Sequence, residues 1–107
     1  MGEVLVQRDD ENRVIGFVVR DLATGGVAEQ VVLLLRAASA SLSEYLHVAL
    51  ESAFSDEMYL AVDRSDPHLD RELDAVLETV ILGFRLIEKE YPEDVVVHEA
   101  TEGVEVL

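Results

Sequence analysis

Residues 65–91, SDPHLDRELDAVLETVILGFRLIEKEY, contain the clearest structural signal in the chain. Ser65-Asp66-Pro67 is a typical helix start, because a polar side chain caps free N–H groups and proline fits the first turn. Pro92 ends the helix. Gly83 lies inside it at a cost of about 1 kcal/mol relative to alanine, so we expect a close contact there with another backbone. Apolar residues at helical spacing predict one buried face: Leu69, Leu73, Val76, Leu77, Val80, Phe84, Ile87 and Tyr91.

The segment before this helix begins with β-type sequence and then changes period. Two β-branched runs separated by a polar turn predict a hairpin of residues 3–8 with 13–20. A glycine-containing loop follows, and apolar residues then recur at helical spacing from about 28 to 47. Residues 48–54 alternate as a strand would, yet the helix could also continue to Glu51. The exit from this first helix therefore stays open.

The predicted fold is α+β. Alternation at 58–63 and Val95-Val96-Val97 each predict a strand, and residues from about 100 resemble a tail in which Val104, Val106 and Leu107 could pair weakly. The order is ββα(β)βαβ, which favours a mostly antiparallel sheet of four to five strands with both helices on one face. A chain of 107 residues has room for one domain, 1–107.

Charge and cysteine count restrict the function. Asp and Glu total 23 against 8 Lys and Arg, a net charge of −15, which disfavours nucleic-acid and membrane binding and suits a basic protein or peptide. Solubility, or adaptation of the source organism to high salt, explains the charge equally well. With no cysteine, the chain has no disulfide or thiol nucleophile. We expect a cytoplasmic protein, because the N-terminus does not resemble a signal peptide.

The residues that could carry chemistry each have a structural interpretation that we favour. His47 lies near a helix end, His68 follows Pro67 without metal-ligand spacing, and His98 with Glu99 and Glu102 could hold a divalent ion only loosely. Ser39, Ser41 and Ser43 are typical small packing residues of a helix. Thr24-Gly25-Gly26 resembles an anion-binding turn but lacks the lysine of a phosphate loop. No metal and no cofactor is predicted.

Several stretches resemble the Prp family, bacterial cysteine proteases that trim the N-terminal extension of a large-subunit ribosomal protein. Residues 77–95, LETVILGFRLIEKEYPEDV, are similar to that family's last helix and strand. Gly16-Phe17-Val18-Val19 resembles the strand before its Gly-His-Ala motif. Ala37-Ala38 resembles the alanines after its catalytic cysteine, and Met58-Tyr59-Leu60 resembles its central strand. The resemblance extends over residues 3–99 and implies the fold and a homodimer.

The departures from that family fall on its catalytic residues. Asp21-Leu22-Ala23 stands where the family has Gly-His-Ala, and Arg36 stands at the cysteine position. Leucine and arginine supply neither imidazole base nor thiolate nucleophile, so the resemblance implies a homologue without the catalytic dyad.

The first functional hypothesis is non-catalytic binding of a basic, possibly ribosomal, protein segment. The binding residues would be Asp21, Thr24, Gly25, Gly26 and Arg36, and Arg36 must reach solvent or pair with a carboxylate such as Asp21. Two alternatives remain: a hydrolase using Ser39 or Ser41 with His47, or a metal at His98; and a structural homodimer without a substrate.

Overall fold

Five strands and two helices make up the computed structural model, which describes residues 1–55 and 58–101. The elements in chain order are β1 (Gly2–Arg8), β2 (Val14–Arg20), α1 (Gly26–Ala40), β3 (Leu50–Phe54), β4 (Met58–Val62), α2 (Asp70–Glu90) and β5 (Val95–Thr101). None of the helices in the described residues is long and apolar enough to span a membrane.

The sheet has the order β3-β4-β2-β1-β5. All neighbouring strands are antiparallel except β1 and β5, which run parallel. The predicted α+β class, the mostly antiparallel sheet and the N-terminal hairpin are thus confirmed. Parallel pairing arises because α2 carries the chain from β4 across the helical layer and returns it beside β1.

The first helix is shorter than predicted. α1 ends at Ala40, and a π-helical turn, Ser41–Tyr45, continues it before the chain turns at His47, whose φ is 53°. The hydroxyl of Ser43 donates to the carbonyl of Ser39, a side-chain bond that competes with regular helical bonding. Of the two alternatives for residues 48–54, the strand is observed.

The second helix follows the prediction. The carboxylate of Asp66 accepts a hydrogen bond from the N–H of His68, and a 3₁₀ turn, Pro67–Leu69, leads into α2. The expected close contact at Gly83 is present, but it is with a side chain and not with a backbone. A Cβ at Gly83 would lie 2.8 Å from Cδ1 of Leu34, so the missing side chain allows α1 to approach α2.

The core lies between the sheet and the two helices. Its centre is an edge-to-face pair of Phe17 on β2 and Phe84 on α2, with ring centroids 5.4 Å apart. The largest fully buried side chains around this pair come from every layer of the fold: Leu35, Leu42, Leu60, Leu73, Leu77, Val4, Val6, Val14, Val31 and Val95. Both helices therefore cover one face of the sheet, as predicted.

The last strand is longer than the sequence indicates. β5 continues to Thr101, where a tail was predicted from about 100. Its extension is stabilised by Arg8, whose guanidinium contacts Glu99 at 2.7 Å and Glu78 of α2 at 2.8 Å. The weak pairing expected of Val104, Val106 and Leu107 falls outside the described residues.

Truncating the aromatic pair tests the core. Phe84 is 1% exposed, so Phe84→Ala leaves a cavity and is expected to lower the free energy of unfolding by about 3–5 kcal/mol. Leu86→Ala is the matched control on the same helix: because Leu86 is 63% exposed, it should change stability by less than about 0.5 kcal/mol. Urea unfolding followed by circular dichroism measures both variants.

Acid should weaken the attachment of β5. Hydrogen bonds from Arg8, and further from Arg85, lower the pKa of Glu99 below its ordinary value of 4.5. A carboxylate with a lowered pKa in the folded state stabilises that state above its unfolded pKa and loses this contribution as pH falls through the folded pKa. Wild type should exceed Glu99→Gln in stability at pH 7, and the difference should shrink below about pH 4.5. An equal difference at every pH would contradict the assignment.

Candidate functional site

The loop between β2 and α1 contains three of the five predicted binding residues, Asp21, Thr24 and Gly25, and Gly26 follows as the first residue of α1. Asp21 has a φ of 56°, in the left-handed region that aspartate tolerates better than most residues. Gly25 has a φ of 142°, which a side chain would strain. No side chain caps the start of α1. The loop therefore presents the backbone of residues 24–26 at the surface.

A depression of about 280 Å³ lies on one side of this loop. Three of its lining residues are carboxylates, Asp21, Glu93 and Asp94, and none of the lining residues is Lys or Arg. We call it the acidic depression. Its walls come from the start of β1, the loop and the segment before β5, because the Gly2 N–H donates to the Asp94 carbonyl at 2.9 Å and joins the two strands there.

A second depression, of about 480 Å³, lies on the other side of the loop. Ala28, Val32 and Leu33 of α1 give it an apolar wall, and Glu29 and Arg36 lie at its border. We call it the apolar depression. Thr24 and Gly25 line both depressions. All five predicted residues consequently lie on one continuous surface.

A third depression, of about 620 Å³ and the largest of these three, lies where β2 and β4 reach the same end of the sheet. Asp21 and Leu22 separate it from the acidic depression, since they line both. Its polar wall residues include Arg20 and Tyr59, which the sequence did not indicate as binding residues. Only the strand order reveals this juxtaposition, because β2 and β4 are far apart in sequence.

Leu22 and Arg36, the positions that correspond to the family's histidine and cysteine in our comparison of sequences, line different depressions. Leu22 packs against the edge of the hydrophobic core. Arg36 reaches solvent, the first of the two arrangements expected for it. No ion pair between Arg36 and Asp21 occurs in the described part of the chain. Leucine and arginine supply neither an imidazole base nor a thiolate nucleophile.

The other candidate catalytic groups are not assembled into a site. His47 is exposed at the turn after α1, and no hydrogen bond joins it to Ser39 or Ser41 within residues 1–55 and 58–101. His98 lies 3.9 Å from a carboxylate oxygen of Glu3. Among the described residues, no group of three His, Cys, Asp or Glu side chains is arranged to hold a metal ion; Glu102 lies outside them.

Comparison with known proteins relates this fold to the Prp structures. No protein-family model and no curated protein matches the sequence. The ribosomal processing protease Prp from S. aureus, in complex with a covalently linked product peptide, matches with a TM-score of 0.80 and 16% identity, over 94% of this chain and 100% of that chain. Its complex with a substrate peptide matches with a TM-score of 0.79 at the same identity and coverage. SMU.848 from Streptococcus mutans matches with a TM-score of 0.73 and 18% identity, over 95% of this chain and 96% of that chain.

These matches confirm the resemblance at the level of fold. The chain has the architecture of a protease solved with bound peptides, and its sequence contains no cysteine. Sequence reasoning missed Glu93 and Asp94. They follow the helix in an unremarkable acidic turn, and only the parallel pairing of β1 with β5 brings them beside Asp21.

Backbone conformation at Asp21 gives a direct test of the loop. Asp21→Val should lower the free energy of unfolding by about 1–2 kcal/mol, because a β-branched residue is strained at positive φ. Asp21→Asn should cost less than about 0.5 kcal/mol, since asparagine also tolerates this region. Urea denaturation of the two variants is the measurement, and equal stabilities would show that the loop adopts another conformation in solution.

Proposed function

We propose that this chain is a Prp-like protein that binds a basic protein segment, such as one of a ribosomal protein, without cleaving it. One observation carries the proposal: the surface that joins the five predicted residues has a carboxylate-lined depression on one side and an apolar one on the other. Such a pair suits a segment that places a basic side chain beside an apolar one.

The acidic depression supplies the electrostatic part of this recognition. Asp21, Glu93 and Asp94 line it, and Met1 is the only lining residue that carries a cationic group, its α-amino group. An arginine or lysine of the partner would meet these carboxylates at an open surface and would lose little solvation there. The net charge of −15 adds long-range attraction for a basic partner, which speeds association and is screened by salt.

The apolar depression supplies contact area. Val32 and Leu33 of α1 line this depression together with Thr24 and Gly25, and Leu33 is 63% exposed. An apolar side chain of the partner would cover it. Arg36, at the border with Glu29, would donate hydrogen bonds to a backbone carbonyl or a carboxylate of the bound segment.

Binding would not lead to cleavage, because the chain contains no cysteine. A thiolate nucleophile cannot form in a chain with no cysteine. The proposed role is therefore capture of a protein segment by a soluble protein that has the fold of a peptide-binding protease. Self-association as a homodimer is still an expectation from the resemblance.

Neutralising the acidic depression tests the proposal. The combined variant Asp21→Asn, Glu93→Gln and Asp94→Asn should weaken the affinity for purified bacterial ribosomal proteins by about tenfold, because three exposed carboxylates each contribute about 0.2–1 kcal/mol. Biolayer interferometry with the immobilised chain gives the dissociation constants, and raising the salt concentration should weaken wild-type binding.

The matched control removes the same charge elsewhere. Asp10→Asn, Glu72→Gln and Glu90→Gln neutralise three exposed carboxylates that line none of the three depressions described above. If this control weakens binding as much as the first variant, net charge and not the depression is responsible. Arg36→Ala should also weaken capture; unchanged binding in Arg36→Ala would remove Arg36 from the proposed set.

A further inference from the structure

The two edges of the sheet differ in how their backbone groups are occupied. β5 forms one edge and β3 the other. On β5, Val97 directs both backbone groups away from β1, because alternate residues of a parallel strand bond to the neighbour. Glu88 accepts from the Val97 N–H at 2.7 Å, and Arg85 donates to its carbonyl at 3.1 Å. Side chains of α2 thus occupy the β5 edge at Val97.

The edge at β3 has no such cover. The Asp63 N–H donates to the Ala49 carbonyl at 3.0 Å, which fixes the phase of the antiparallel ladder with β4. Glu51 and Ala53 then bond to β4, whereas Leu50, Ser52 and Phe54 direct their N–H and carbonyl groups outward. No hydrogen bond within residues 1–55 and 58–101 involves these outward backbone groups.

β3 is a short strand with one charged residue, Glu51, and it lacks the other features that protect an edge. Natural edge strands avoid pairing through lysine, proline, bulges or a covering element. β3 contains no lysine and no proline, and its register with β4 has no bulge. Leu50 and Phe54 are only partly buried against the core. An added strand would cover both and would satisfy the outward backbone groups.

The charge around this edge selects the partner. Residues 37–63 contain no Lys or Arg but five carboxylates, Glu44, Glu51, Asp56, Glu57 and Asp63. A second copy would bring an equally acidic edge against this one. A basic segment would be attracted, and Glu51 is exposed on β3 itself.

We propose that the free edge of β3 binds an extended basic segment of a partner protein by strand addition. The segment would bond to the backbone of Leu50, Ser52 and Phe54 and place alternate side chains beside Leu50 and Phe54. Its basic character rests on the proposed function. Ser55, the residue after β3, lines the largest depression together with Asp21, so one segment could run along β3 and reach that surface.

The probe is a fluorescein-labelled peptide of alternating lysine and valine, Lys-Val-Lys-Val-Lys-Val-Lys-Val, measured by fluorescence anisotropy. Ser52→Pro removes an outward N–H and leaves the bonds to β4 intact, because proline is accepted where the N–H of an edge strand faces away from the sheet. Thr101→Pro is the matched control, since it places the same ring on the outward side of the β5 edge.

We expect Ser52→Pro to weaken peptide binding by about tenfold or more and Thr101→Pro to leave it unchanged. The same peptide with every amide N-methylated keeps its charges and side chains but cannot donate backbone hydrogen bonds, and it should bind wild type as weakly as the parent peptide binds Ser52→Pro. This comparison uses the unaltered protein, so it decides the question if Ser52→Pro fails to fold.

Equal binding of the parent and methylated peptides, or wild-type affinity in folded Ser52→Pro, would overturn strand addition. Loss of binding in the combined Asp21, Glu93 and Asp94 variant without loss in Ser52→Pro would leave the proposed function standing and reject this inference. If sedimentation shows that wild type is a dimer, that Ser52→Pro is a monomer, and that the peptide binds neither, the occupant is a second copy and the proposal fails.

Discussion

The packing of α2 against the sheet is the interaction on which the rest of the structure depends. Phe84 meets Phe17 edge to face at the centre of the core, while Glu78 and Arg85 of the same helix pair with Arg8 and Glu99 on β1 and β5. One helix therefore fixes the middle of the sheet and its parallel edge together. Because α1 packs on α2 through Leu34 at Gly83, the position of the loop before α1 also follows from this helix.

Arginine has a structural role in this acidic chain. Four of the eight basic residues, Arg8, Arg13, Arg64 and Arg85, form ion pairs that tie the strands to α2. The Arg64 side chain is only 3% exposed and also donates to the carbonyl of Val14. Two of these four side chains are largely buried, Arg8 at 14% and Arg64 at 3% exposure, whereas Arg13 and Arg85 stay partly exposed. Burial of Arg64 has a cost, because its Nε has no hydrogen-bond partner among residues 1–55 and 58–101.

Local pattern was sufficient to predict the elements whose buried face is regular. The apolar stripe of α2 and the β-branched hairpin strands gave the correct type and nearly the correct bounds, since helical and alternating periods report directly which face is buried. α1 was predicted too long because a serine hydroxyl near its end bonds to the backbone, an event that apolar spacing does not record. The exit of that helix could not be decided locally for the same reason.

Local sequence pattern does not predict which distant strands pair, and the candidate site depends on that pairing. Asp21, Thr24, Gly25 and Gly26 are neighbours in sequence and could be grouped from the loop alone. Glu93 and Asp94 join them only because β5 lies parallel to β1, which no periodicity within either strand specifies.

The same long-range pairing decides which edge of the sheet is covered. β5 returns beside β1, and α2 therefore lies near the β5 edge. There Arg85 and Glu88 form hydrogen bonds with the backbone carbonyl and N–H of Val97. β3 receives no equivalent cover among the described residues, because α2 lies toward the other side of the sheet. Occupation of one edge and exposure of the other are therefore two consequences of one crossover connection. The acidic depression, at β1 and the segment before β5, and the β3 edge therefore lie toward opposite edges of the sheet, and the strand order sets both positions.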